Sequence, residues 1–197
     1  MNIVQRVKDI ILKPTDTWAE IKTEQVTIQE LYTSYAVILA AIPPIASFIG
    51  MSLLGFSMLA VSYRVPLGWG ISHALVSYIL SLVGLYVVTL IIDALAPNFG
   101  SKKNQVNAMK VAVFSWTPSW IAGVLMIIPA LSPLAMLLSL YSLYLFYLGL
   151  PILMETPKDK AMGYFIVTIL VSIVVFIIIG VISNSLFGFG RMGGGMM

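Results

Sequence analysis

Long uncharged stretches divide the chain. Leu31 to Tyr63 carries no charge, and Val65 to Ile92 carries none apart from a neutral His73. Val111 to Met154 gives 44 uncharged residues, about 66 Å of helix at 1.5 Å per residue. A bilayer's hydrocarbon layer needs only about 20 helical residues. That stretch therefore holds two spans, divided at the turn signal Pro129-Ala130-Leu131-Ser132-Pro133. A last run of 30 residues extends from Ala161 to Gly190. The pattern predicts an all-α fold: a polytopic bundle of five transmembrane helices near 29–54, 67–95, 108–128, 132–153 and 161–186.

Ahead of the spans the period changes. Ile3, Val7, Ile10 and Ile11 share one helical face, with Arg6, Lys8, Asp9 and Lys13 mostly on the other. This predicts a short amphipathic helix, either lying in the membrane interface or packed on the bundle's cytoplasmic end. Pro14 ends it. Thr15 is placed to cap a second short helix that carries Trp18 and Ile21 on one face. Trp18 is by type an interface anchor, and so is Tyr147 near the end of the fourth span. Thr27 and Glu30 make a capping box at the start of the first span, with Val26 and Leu31 at staple positions. The chain thus divides into a cytoplasmic segment 1–26, a five-helix domain 27–187 and a disordered Gly- and Met-rich tail 188–197.

Composition sharpens this picture. Of 197 residues, 59% are apolar and 10% charged, against about 45–50% and 25% in soluble domains. A soluble enzyme or binding module is excluded, because a chain this size has too little interior to hide such a composition. There are no cysteines and one histidine, so disulfides, thiolate sites and multi-histidine metal sites cannot be built. No metal, cofactor or nucleic-acid partner is expected. The net charge is only +3, but its placement is informative. Nine of the eleven Lys and Arg residues fall in alternate compartments, leaving Arg64 and Arg191 in the others. The positive-inside rule then puts the N-terminus in the cytoplasm and the C-terminus outside. No cleavable signal is read, since the first 30 residues carry nine charges.

Few side chains within the spans carry chemistry. Pro43 and Pro44 deprive two carbonyls of helical donors, which predicts either a packed kink or a hinge lining a polar cavity. His73, Ser77, Ser81 and Gly84 form a weakly polar stripe on the second span. Asp93, on another face, is expected to pair with Lys110, Lys102 or Lys103. Pro118 interrupts the third span. Ala108, Ala112, Ser115, Ser119 and Gly123 form a ridge of small residues there, the expected helix-packing or partner face. There is no phosphate loop, no His-Glu-x-x-His, no second embedded acid for an aspartyl dyad and no inverted repeat.

Three strings look familiar together. They are Lys13-Pro14…Trp18…Ile21, then Phe114-Ser115-Trp116-Thr117-Pro118, then Tyr144-Leu145-Phe146-Tyr147-Leu148-Gly149-Leu150-Pro151 followed by Pro157 and Lys160-Ala161. With the five spans, they resemble the Yip1-domain membrane proteins, and among these the short bacterial members, over roughly residues 10 to 185. The resemblance implies five helices and a cytoplasmic N-terminus. Eukaryotic members act in Golgi vesicle traffic and contact Rab GTPases through long N-terminal regions bearing Asp-Leu-Tyr-Gly-Pro. Here that place reads Glu30-Leu31-Tyr32-Thr33-Ser34 behind a short segment, so GTPase binding is not carried over.

The expected function is a non-enzymatic protein of the bacterial inner membrane that organises protein partners or lipids. Its partners would be the bilayer and either another membrane protein or further copies of itself. The alternative is a small permease or channel with a polar path near Pro43-Pro44, His73 and Asp93.

Overall fold

The computed structural model describes residues 2–58 and 61–187. The tail 188–197, expected as a separate disordered segment, lies outside the described residues. Two short helices come first, α1 (Ile3–Leu12) and α2 (Pro14–Thr23). Five helical segments follow: α3 (Ile28–Leu54), α4 (Leu67–Phe99), α5 (Gln105–Ile127), α6 (Pro129–Leu153) and α7 (Lys158–Phe187). All five are long and apolar enough to cross a membrane. The protein is a multi-pass helical membrane protein. Between α3 and α4 the structure adds a small antiparallel ribbon, β1 (Phe56–Met58) on β2 (Val61–Tyr63), with Phe56 opposite Tyr63. It follows Gly55, whose φ of 79° turns the chain out of α3.

The start of α3 is the capping box. Thr27 Oγ1 accepts from the Glu30 N–H at 3.1 Å, and the Thr27 N–H donates to Glu30 Oε2 at 2.8 Å. The second short helix begins differently from the sequence expectation. Lys13 is its N-cap and Pro14 its first residue, so Thr15 does not cap it. Proline suits that position because the missing N–H has no helical partner there.

The prolines inside the spans act by the same rule. The chain turns at Ala41 and restarts as a helix at Ile42, with Pro43 and Pro44 in the new first turn. In α5 it turns at Trp116, and Pro118 falls in the first turn of Thr117–Ala122. The freed Ser119 N–H donates to Ser142 Oγ of α6 at 3.1 Å. The Tyr78 hydroxyl donates to the Val37 carbonyl at 2.9 Å, tying α4 to α3 just ahead of the double proline.

The buried residues form one core with α5 at its centre. Every residue from Ala108 to Ser115 is buried. The small-residue ridge is therefore used up inside the molecule. Ala108, Ala112, Ser115 and Gly123 are buried and Ser119 is half-buried. As a face for an outside partner it is corrected, because the bundle itself covers it. A methyl carbon added at Gly123 would lie 2.5 Å from Pro43 Cγ, so the kink of α3 rests directly on α5. α4 and α7 present apolar side chains outward instead, among them Leu75, Ile79 and Val83 on α4 and Leu170 and Ile177 on α7.

One end of the bundle gathers most of the lysines. There α4 and α6 finish with matched C-caps. The Ser101 N–H donates to the Ala96 carbonyl at 3.0 Å and the Thr156 N–H to the Pro151 carbonyl at 3.2 Å. Left-handed Gly100 (φ 72°) and Glu155 (φ 53°) occupy the corresponding turn positions, the arrangement of a Schellman motif. The residues just past the two caps then meet, Ser101 Oγ to Thr156 Oγ1 at 2.7 Å.

Candidate functional site

At this lysine-rich end α1 and α2 form a helical hairpin inserted against α5 and α6. Ile10, Trp18 and Ile21 are fully buried and belong to the same core as the spans. The hairpin is thus packed on the bundle. The Tyr141 hydroxyl donates to the Ile11 carbonyl at 2.9 Å. Tyr141 stands twelve residues, about 18 Å of helix, before the end of α6. This bond ties the hairpin tip to α6.

Trp18 is the centre of the dock. Expected as an interface anchor, it has no exposed surface. Its ring fills the space left by Gly149, where an added methyl carbon would sit 2.5 Å from Trp18 Cζ2. It meets Phe114 edge-on with centroids 6.3 Å apart. Phe114 in turn lies 5.0 Å from the Tyr35 ring. An indole this size placed against a glycine and an aromatic ring binds by shape and area, and burial wins over its interfacial preference. Tyr147 is half-buried and packs edge-on against Phe165 at 5.5 Å.

Polar groups fasten the dock. Buried Lys110 donates from Nζ to the Ile21 carbonyl at 2.8 Å and to the Glu24 carbonyl at 2.7 Å. These are carbonyls at the end of α2, where a cation suits the dipole; the Glu24 N–H also reaches the Ile21 carbonyl, at 3.3 Å. Arg6 bonds Glu24 and reaches Glu20 at 3.9 Å, with its guanidinium carbon 5.7 Å above the Phe114 ring. Tyr35 Oη and Thr117 Oγ1 share a hydrogen bond of 2.9 Å. Lys22 reaches Glu155 at 3.0 Å, tying α2 to the cap of α6. That lysine, with Lys102 nearby, holds the Glu155 carboxyl below the usual carboxylate range. A cavity of about 390 Å³ remains between the hairpin helices, lined by Gln5, Arg6, Asp9, Glu20 and Glu24.

The other predicted residues fall in separate places. Pro43, Ser81, Ser119 and Gly123 line one cavity of about 320 Å³ toward the opposite end. Pro44 and Ser77 are half-buried, and Pro118 is buried in the α5 break. Exposed His73 stacks on Trp69 at 5.1 Å and lines a different cavity of about 190 Å³. Asp93 borders neither. Its expected lysine partner is corrected: among the described residues it makes no ion pair, and Lys110 is turned to the α2 carbonyls instead. Among the described residues these groups therefore share no single polar cavity.

Sequence reasoning missed Arg6, Tyr35 and Thr117. For Arg6 a signal exists, since it stands about 40° from Ile10 on the helical wheel, at the edge of the apolar arc. Tyr35 and Thr117 are 82 positions apart and meet only through the fold. The three strings that carried the family resemblance are the parts of this dock. Trp18 comes from the first, Phe114 and Thr117 from the second, Gly149 from the third.

Comparison with known proteins bears out the family resemblance. The Yip1 domain profile matches residues 8–179. The chain is 28% identical over 179 residues to "Inner membrane protein YohC" of Escherichia coli K12, covering 86% of this chain and 89% of that one. The protein of the same name from Escherichia coli O6:H1 matches equally, with 28% identity over 179 residues. No solved structure matches.

Proposed function

The chain belongs to the Yip1 domain family, and from that premise we propose that it is a non-enzymatic scaffold or adaptor of the bacterial inner membrane, organising protein partners or lipids. One observation carries the reading. The residues that carry the resemblance build a dock for the N-terminal hairpin, and the polar side chains around it are taken up by structural bonds: Lys110 on two carbonyls of the hairpin, Tyr35 on Thr117 between two spans, Arg6 on Glu24 within the hairpin segment. What they assemble is a shape.

The docked hairpin keeps a second, outward stripe. Val4, Lys8 and Leu12 are exposed at a four-residue spacing, a mixed apolar and basic face suited to an interface. With the trans-bundle charge bias, this supports a cytoplasmic position for the hairpin and the lysine-rich end. The surfaces left for partners are this stripe and the outer faces of α4 and α7.

Photocrosslinkers placed at Lys8 and at Leu75 of the full chain, in native membranes at endogenous expression, test the proposal. A recurrent protein or lipid adduct is expected at one of them. Diffuse labelling at both contradicts it. A permease would need Pro43-Pro44, His73 and Asp93 along one path, and they stand at separate places. Flux through reconstituted vesicles that disappears in Asp93→Asn would favour that alternative.

A further inference from the structure

The two joined loops at the lysine-rich end bring together cations that are far apart in sequence. Lys102 and Lys103 follow the cap of α4, and Lys158 and Lys160 open α7. The Ser101–Thr156 hydrogen bond holds the loops side by side. A methyl carbon added at Gly100 would lie 3.6 Å from Lys160 Nζ, so the two lysine pairs share one corner. All four are exposed. Among the described residues none of them makes an ion pair, and the nearby Glu155 is engaged by Lys22.

Below this corner runs an apolar groove of about 200 Å³. Its floor is Val88 and Ala112, and Phe146, Ile169 and Phe176 form its walls. Half-exposed Leu143 and Ile173 stand at its rim, on α6 and α7. Ile169 and Ile173 are nine and thirteen residues beyond Lys160, about 14 and 20 Å along the helix. One leaflet of a hydrocarbon layer roughly 30 Å thick has about that depth. A groove at that depth and open to the membrane meets acyl chains, not water.

We propose that the α6–α7 seam binds an anionic phospholipid, its phosphate on Lys102, Lys103, Lys158 and Lys160 and part of one acyl chain in the groove. Charge selects the headgroup. The groove holds the chain and separates a bound lipid from a passing one. This deepens the lipid half of the proposed function and rests on it.

The test uses the purified full chain in detergent, offered phosphatidylglycerol and phosphatidylcholine with identical acyl chains. Lipid retained after washing is counted by native mass spectrometry. Phosphatidylglycerol should stay bound at a fixed stoichiometry and phosphatidylcholine should wash away. A lysine near an anionic surface contributes about fivefold, so K102Q/K103Q and K158Q/K160Q should each lower retention by tenfold or more. Leu143→Trp, which fills the rim from an exposed position, should also release the lipid. Glycerol phosphate in excess should not compete. Equal retention of the two lipids overturns the site. So does undiminished retention in Leu143→Trp, or displacement by glycerol phosphate. Failure of the scaffold reading shows elsewhere, as diffuse crosslinking in native membranes.

Discussion

Trp18 shows how far residue type alone carries a reading. A tryptophan beside a membrane suits both a headgroup anchor and a plug, and only Gly149, far away in sequence, decides between them. Gly149→Ala puts a methyl group into the Trp18 ring; overpacking of this kind costs about 1–3 kcal/mol, and should appear as a lower Tm in detergent. Lys110 is similar. Its sequence neighbours point to Asp93, but its partners are carbonyls 86 and 89 positions away. Lys110→Met leaves the Glu24 carbonyl without its donor at a cost of about 1–3 kcal/mol, readable in the same melt, while Asp93→Asn leaves the dock intact. Glu155 gives a pH signature. Its folded pKa is depressed by Lys22, so its contribution is present above the ordinary carboxylate range and is lost as pH falls through the lowered value. Lys22→Gln should move the Glu155 midpoint upward in an NMR titration. An unmoved midpoint would remove the tie between α2 and α6.

At the scale of elements, the sequence was most legible where local chemistry decides the outcome. The capping box at Thr27 and Glu30, the breaks before Pro43 and Pro118 and the turn at Pro129 follow from which backbone groups have donors. The hairpin was half legible. Its apolar face is visible in Ile3, Val7 and Ile10, but lipid and bundle both satisfy such a face. The ribbon after Gly55 carries no signal that an uncharged loop would lack. The C-caps of α4 and α6 are the elements that join the lysine loops, and they invite a direct test. Gly100 has φ of 72°, where any other L-residue is strained by about 1–2 kcal/mol. Gly100→Ala should therefore lower Tm, although its added methyl meets nothing closer than 3.5 Å. The ridge on α5 teaches the reverse lesson. Its spacing marks a ridge of small residues, and only the fold shows that the protein's own helices cover it.

For the whole molecule, five spans leave the hairpin and the far end of α7 at opposite ends of the bundle. Counting uncharged runs sufficed for that number, because crossing a bilayer is a demand on length and charge rather than on tertiary detail. The family's strings then acquire a physical meaning: they meet at one dock, on the lysine-rich end. The most direct test exploits the lack of native cysteine. Single cysteines replacing Lys8, Lys103, Lys158 and Arg64 are treated with a membrane-impermeant thiol reagent in intact cells and again after permeabilisation. Labelling of the Arg64 position in intact cells, and of the three lysine positions only after permeabilisation, is the predicted result. Labelling of any lysine position from the same face as Arg64 would contradict the five-span bundle with its hairpin docked at one end.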